Sequence, residues 1–349
     1  VFKLAVTRFG TSPKFILLGL MLTTALFSMI MSNTATSAMM IASVIPFINT
    51  LDKDSPFSKA ILVGIASAAS FGGMGTLIGS PPNAIAVEAL NNHGIAIGFL
   101  EWMMVGFPLA LLLTILFWFL LTKKYIPRKK NMRIQLEDDV EVETASANKF
   151  QRIKKKVVVG VLALTLLLWL TEKVHGIPAS VVSLLPIILL TMTGIINGED
   201  VRKLPWDTLM LVAGGLALGL AIKETGLADL YVSKIQQFNL NFYALVLVFA
   251  FLTVIMSNIM SNTASATILI PISIILTFDN PIVLPLVIGL CASTALFLPI
   301  STPPNAIAFS TGKLEQKDFR FGGLASGLLG PLIITLVVIL MFMYGDFMS

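Results

Sequence analysis

Ser28-Met29-Ile30-Met31-Ser32-Asn33-Thr34-Ala35-Thr36 sets five polar residues in the middle of an apolar run, 15–48. A bilayer-spanning helix does not usually gather Ser, Asn and Thr at its centre, because unpaired polar groups in hydrocarbon are costly. The pattern returns at Ser257-Asn258-Ile259-Met260-Ser261-Asn262-Thr263-Ala264-Ser265, inside the apolar run 244–277. Each copy is followed downstream by a second polar break. The first is Gly79-Ser80-Pro81-Pro82-Asn83-Ala84-Ile85-Ala86 and the second is Ser301-Thr302-Pro303-Pro304-Asn305-Ala306-Ile307-Ala308. Two unlike motifs, each duplicated in the same order, indicate an internal repeat with polar breaks at membrane depth, the pattern expected of a secondary transporter.

Composition agrees. The chain of 349 residues is 56% hydrophobic and only 12% charged, with a mean hydropathy of +0.89. Soluble domains carry about twice that charged fraction. The net charge of +5 is no nucleic-acid signal, because the basic residues lie in loops between apolar segments. A single cysteine, Cys291, excludes an internal disulfide and a cysteine-built metal site, and the two histidines, His93 and His175, lie far apart. The chain opens on Val1 in mid-pattern, which reads as an incomplete N-terminus, and no cleavable signal peptide is evident.

Segment lengths give the organisation. Residues 1–14 read as a basic interfacial helix. The run 15–48 is too long for one crossing and too short for two with a loop, at about 20 residues per crossing. It is expected to be a re-entrant hairpin with Ser32-Asn33-Thr34 at its turn. A broken helix is expected at 61–87 and a plain span at 103–121, which closes a first repeat over 1–121. Residues 122–156 form a polar loop. The second repeat, 157–349, is expected to hold spans at 157–170, 180–196 and 206–222, a second hairpin at 244–277, a broken helix at 283–309 and a last span at 324–344. The fold class is therefore an all-α polytopic membrane protein, an inverted-repeat transporter with two re-entrant hairpins and two broken transmembrane helices.

Charge fixes the expected orientation. With both ends of the first hairpin on one side, the loops that fall on that side hold 21 of the 24 Lys and Arg residues, and only Lys173, Lys223 and Lys234 lie opposite. The positive-inside rule makes the rich side, with loop 122–156, cytoplasmic. The same count puts the ends of the second hairpin outside, so the repeats are inverted. The expected location is a bacterial inner (plasma) membrane, crossed many times.

The chemistry follows from the residue types. Half-helix N-termini present unpaired N–H groups that suit an anion. Carbonyls at the unwound breaks, Ser and Thr hydroxyls and Asn oxygens are hard neutral ligands that suit an alkali cation. No Lys or Arg lies in the motifs, so an anion would be held by neutral donors, helix ends and co-bound cations. Against this stand blander readings. Ser-Asn-Thr can serve as interhelical glue, Gly72-Gly73 and Gly214-Gly215 as close-packing positions, and Glu88 and Glu101 as solvated carboxylates. An enzyme is disfavoured because no apolar segment holds an acid/base pair, a nucleophile–His pair or a metal cluster. A receptor is disfavoured by the lack of a sizeable soluble domain.

At Ser32-Asn33-Thr34, Ser261-Asn262-Thr263 and the two Pro-Pro-Asn-Ala-Ile segments the chain resembles the divalent-anion:sodium symporter family of INDY-type dicarboxylate transporters. The likeness runs over essentially the whole chain, except that family members carry further spans ahead of the first hairpin. It implies sodium-coupled symport of C4–C5 dicarboxylates such as succinate, malate or fumarate, by a homodimer with an elevator movement in the lipid bilayer. It implies at least two Na⁺ sites, one at Ser28, Ser32, Asn33 and the Gly79 backbone, the other at Ser257, Ser261, Asn262 and the Ser301 backbone. Substrate carboxylates would meet Asn33, Thr34, Ser80 and Pro81 from one repeat and Asn262, Thr263, Thr302 and Pro303 from the other. A Na⁺-independent dicarboxylate exchanger, or a symporter of citrate, sulfate or phosphate, would keep the same fold.

Overall fold

The computed structural model describes residues 12–51, 55–126, 149–227, 241–276 and 281–344, and all regular structure among them is helical. Most of the expected interfacial helix, the middle of the polar loop and Lys234 lie outside the described residues. The polar runs act first as punctuation. Helix α1 (Pro13–Ser28) starts on Pro13, whose missing N–H costs nothing at a helix start, and α2 (Asn33–Asn49) begins after a break of four residues. Ser32 caps α2: the Ala35 N–H donates to its Oγ at 3.2 Å. Downstream, α3 (Pro56–Gly73) ends at the glycine pair, and α4 (Pro81–Asn91) restarts on two prolines. Helix α5 (Phe99–Tyr125) follows.

A connecting block comes next: α6 (Lys149–Leu170), α7 (Glu172–His175), α8 (Ala179–Val182), α9 (Leu184–Met192), α10 (Gly198–Arg202) and α11 (Trp206–Glu224). The series then repeats in kind as α12 (Phe242–Ile259), α13 (Asn262–Leu276), α14 (Val283–Ala292), α15 (Pro303–Ser310) and α16 (Gln316–Tyr344). Ser261 caps α13 as Ser32 caps α2, accepting from the Ala264 N–H at 3.0 Å.

Packing follows the same order twice. Helix α1 packs on α2, α3 and α5, while α2 packs on α3 and α3 on α5; α12 packs on α13, α14 and α16, while α13 packs on α14 and α14 on α16. The two series also interlock. Helix α15 lies against α2 and α3, and α4 lies against α13 and α14. Buried on nearly every face, α3 and α14 form the centre of the core, as helices apolar all round should. Helices α5, α12 and α16 are long and apolar enough to cross a membrane. They turn Leu112, Ile115, Leu324, Leu328, Leu332 and Leu336 outward, a surface suited to hydrocarbon and not to water.

Four expectations need correction. The polar loop placed at 122–156 is helical at both ends, through Tyr125 in α5 and from Lys149 in α6, and the last span, placed at 324–344, starts at Gln316. The span placed at 180–196 is not continuous: it is α8 and α9, interrupted at Ser183 and finished by Met192. Pro186 is the cause, since its ring excludes the carbonyl four residues back, at Val182. Glu101 is not solvated. It is 7% exposed, and its Oε1 lies 2.8 Å from Lys173 Nζ. Glu88 is exposed, in line with the solvated reading.

Candidate functional site

Ser28, Asn33 and Gly79 are brought together at the end of α1, the start of α2 and the α3–α4 break. Ser28 is fully buried, and its Oγ lies 2.7 Å both from the Ala69 carbonyl oxygen and from the Asn33 amide. With Asn33 Oδ1 facing inward, four oxygens (Ser28 Oγ, Asn33 Oδ1, Ala69 O and Gly79 O) share a single hydroxyl proton. Turned over, the Asn33 amide would donate to Ser28 Oγ at 2.7 Å, Ala69 O at 3.0 Å and Gly79 O at 3.3 Å. Two occupants satisfy the cluster: the Asn33 NH₂ itself, or a cation among the oxygens. A hydroxyl, an amide oxygen and main-chain carbonyls are the hard neutral donors that an alkali cation takes. Gly73 forms one wall, because a methyl on it would overlap the Asn33 amide.

The second copy differs in detail. Among the described residues, Ser257 Oγ and Asn262 Oδ1 are buried with no hydrogen-bond partner. Buried polar atoms without partners are uncommon, and a cation among them would remove the cost. Ser301 is buried and donates from Oγ to the Leu298 carbonyl at 2.8 Å. The residue types fit Na⁺ in both copies, and the orphaned oxygens of the second copy add to the fit there. Ser32 and Ser261 are exposed at the two breaks, each with one lone pair used in capping. Thr34 is exposed and Thr263 half-buried, each in the first turn of its helix. Ser80 and Thr302 are buried N-cap residues; the Thr302 Oγ1 accepts from the Asn305 N–H at 3.3 Å. Pro81 and Pro303 are exposed at the first helical position.

Side chains outside the expected ligand set hold the breaks in place. Thr76 donates its hydroxyl to the Met29 carbonyl, tying the first break to the turn between α1 and α2. In the second copy the tie is Asn258, which accepts from the Phe297 N–H at 2.9 Å and donates to the Val254 carbonyl at 2.8 Å. The signal for Asn258 was its place inside the repeated stretch, but the first copy has Met29 there, and likeness between copies points away from it.

A helical core with doubled polar breaks, oxygen-lined and free of fixed positive charge, defines a membrane transporter. The chain belongs to the citrate transporter family (CitMHS), whose profile matches residues 1–278. It is 36% identical over 321 residues to an uncharacterized transporter of Haemophilus influenzae, covering 86% of this chain and 67% of that one. It is 32% identical to the sodium-dependent dicarboxylate transporter SdcS of Staphylococcus saprophyticus, covering 95% of this chain and 70% of that one. The low-affinity phosphate transporter PHO90 of Saccharomyces cerevisiae is 31% identical over 89% of this chain and 35% of its own. Like its relatives, this protein is a transporter and not an enzyme.

Proposed function

We propose that the protein is a sodium-coupled symporter of C4–C5 dicarboxylates. The observation that carries this reading is the convergence of Ser28 Oγ, Asn33, Ala69 O and Gly79 O on one small volume. The sodium-dependent dicarboxylate relative, matched over nearly the whole chain, supports the same cation and substrate class. The first cation site is Ser28, Ser32, Asn33 and the Gly79 backbone; the second is Ser257, Ser261, Asn262 and the Ser301 backbone. Sodium there would supply the positive charge that the side chains lack. Asn33, Thr34, Ser80 and Pro81 face one carboxylate, and Asn262, Thr263, Thr302 and Pro303 the other. The starts of α2, α4, α13 and α15 add N–H groups that favour anions. Doubled motifs and the doubled packing order support an inverted repeat with re-entrant hairpins. An elevator movement in a homodimer, in the plasma membrane of a bacterium, completes the reading.

The family's citrate description and the yeast phosphate relative favour a second reading with the same cation sites and another divalent anion. Radiolabelled succinate uptake into proteoliposomes, with and without an inward Na⁺ gradient, decides. Gradient-driven accumulation is expected, and it is lost in Asn33→Ala and Asn262→Ala with expression intact. Full activity in both variants overturns the site assignment. Uptake that needs preloaded dicarboxylate and ignores Na⁺ makes the protein an exchanger. No uptake of succinate, with Na⁺-driven uptake of citrate, sulfate or phosphate instead, moves the substrate and keeps the site.

A further inference from the structure

The asparagine of each Pro-Pro-Asn segment closes its own break through its amide N–H groups, while among the described residues Asn83 Oδ1 is buried without a hydrogen-bond partner. Asn83 is fully buried. Its Nδ2 donates to the Gly73 carbonyl at 2.8 Å and to the Thr76 carbonyl at 2.7 Å. Asn305, 1% exposed, does the same work in the other half. Its Nδ2 donates to the Leu296 carbonyl at 3.2 Å and the Leu298 carbonyl at 3.0 Å. Gly73 ends α3, where a helix leaves carbonyls without an intrahelical donor, and the other three carbonyls lie in the unwound segments, where Thr76 O also accepts from the Gly79 N–H and Leu298 O from Ser301. One amide with two N–H groups in a fixed fork takes two of them at once. No other side chain of the same size offers two donors in that geometry.

Position makes this more than a cap. Each fork spans its break from the first turn of the following helix, across 74–80 in one half and 293–302 in the other. Between the anchors lie Gly79 and Ser301, whose carbonyls are the backbone members of the proposed cation sites. Gly79 O is already 3.3 Å from the Asn33 amide, and Ser301 Oγ lies 3.5 Å from Asn305 Nδ2. We infer that Asn83 and Asn305 are positioning residues for the two cation sites: each locks the unwound segment into the shape that aims a carbonyl at the cation, without touching it. This rests on the sodium-coupled reading above.

The test uses the full chain, Asn83→Asp and Asn305→Asp, and sodium titration of succinate uptake in proteoliposomes. Aspartate matches asparagine in shape and leaves at most one O–H in place of the two N–H donors. The expected result is a rise of tenfold or more in half-saturating Na⁺, while half-saturating succinate at saturating Na⁺ stays within twofold. The rise in melting temperature that Na⁺ gives the detergent-solubilised protein shrinks in step. A ligand role for either side chain predicts the opposite, since a carboxylate would tighten Na⁺ binding. Lower thermal stability with an unchanged Na⁺ dependence would mean a fold-holding role only. Either result overturns the inference. If Asn83→Asp does not accumulate, Asn83→Ser, which keeps one donor, is read in the same way and is expected to show a smaller shift of the same sign. Ser28→Ala separates the two layers of argument. If it leaves the Na⁺ response intact, the sodium reading of the first site fails; if it abolishes the response while the Asn83 and Asn305 variants behave as the parent, the positioning inference alone fails.

Discussion

Gly73 shows how a single missing atom shapes the site. A Cβ there would overlap both Asn33 Oδ1 and Nδ2, and the amide cannot simply swing away because Ser28 holds its end at 2.7 Å. Gly73→Ala is therefore expected to displace the amide and raise half-saturating Na⁺ for uptake by tenfold or more, with the protein still accumulating. Gly214→Ala is the control: among the described residues nothing lies within 4 Å of its added methyl, so uptake stays at the parent value. Helix propensity favours alanine at both positions by about 1 kcal/mol, so a loss at Gly73 cannot be blamed on the helix. A Gly73→Ala variant with the parent's Na⁺ dependence removes the amide from the cluster. The glycine pair was legible as a close-packing position; its neighbour was not. Contact between Gly73 and Asn33 depends on how α2 and α3 cross, and no local pattern encodes that. The same holds for Asn83: its place after two prolines marks a helix start, but the carbonyls it takes up lie back across the break.

At the scale of the element, polar residues in an apolar run were read as ligands, and the helices show that some are also caps. Ser32 and Ser261 each start a helix, and loss of an N-cap costs about 1 kcal/mol. Capping and coordination can be told apart. Ser32→Ala is expected to lower both the melting temperature and Na⁺-driven uptake. Ser32→Gly, which an N-cap tolerates and which has no side-chain oxygen, is expected to recover most of the melting temperature and not the uptake. Recovery of both by glycine would leave Ser32 a cap and nothing more. The four break positions were legible because Ser-Asn-Thr and Pro-Pro are chemically loud in an apolar background. The interruption at Ser183 was not, because Pro186 sits in a run of Leu and Ile and acts one turn upstream of itself. The start of α16 was also placed late. Asp318 accepts from the Glu315 N–H at 2.8 Å and so extends the helix back into a charged stretch that composition alone assigns to a loop.

The whole molecule carries a third duplication that the motifs do not announce. Glu101 stands in the first turn of α5 and Asp318 in the first turn of α16, both almost fully buried. Each is followed by a glycine, Gly106 or Gly323, that presses on backbone of a break, the Met74 carbonyl at its start in one half and Phe297 at its middle in the other. Each acid has a lysine, Lys173 at 2.8 Å and Lys59 at 3.1 Å. The repeat hid here because glutamate stands for aspartate, and the lysines come from unrelated places: one from the connecting block, the other from the opposite half. The two pairs differ in shielding. Lys59 has 17% of its side chain exposed, against 75% for Lys173, while both acids are at 8%. Either removal strands a carboxylate at the same exposure; without Lys59, shut in beside Asp318, the cost is about 3 kcal/mol, whereas Lys173 stands in solvent, so its loss opens Glu101 to water and costs about 1 kcal/mol or less. Lys59→Met should therefore lower the melting temperature clearly more than Lys173→Met. Adding Asp318→Asn to Lys59→Met should return most of the loss, because the stranded carboxylate is then neutral. Equal effects of the two lysine substitutions, or no recovery in the double variant, would mean that the Lys59–Asp318 pair does not bind the halves together, and that apolar packing of α3 and α14 with the crossed helices α4 and α15 does so alone.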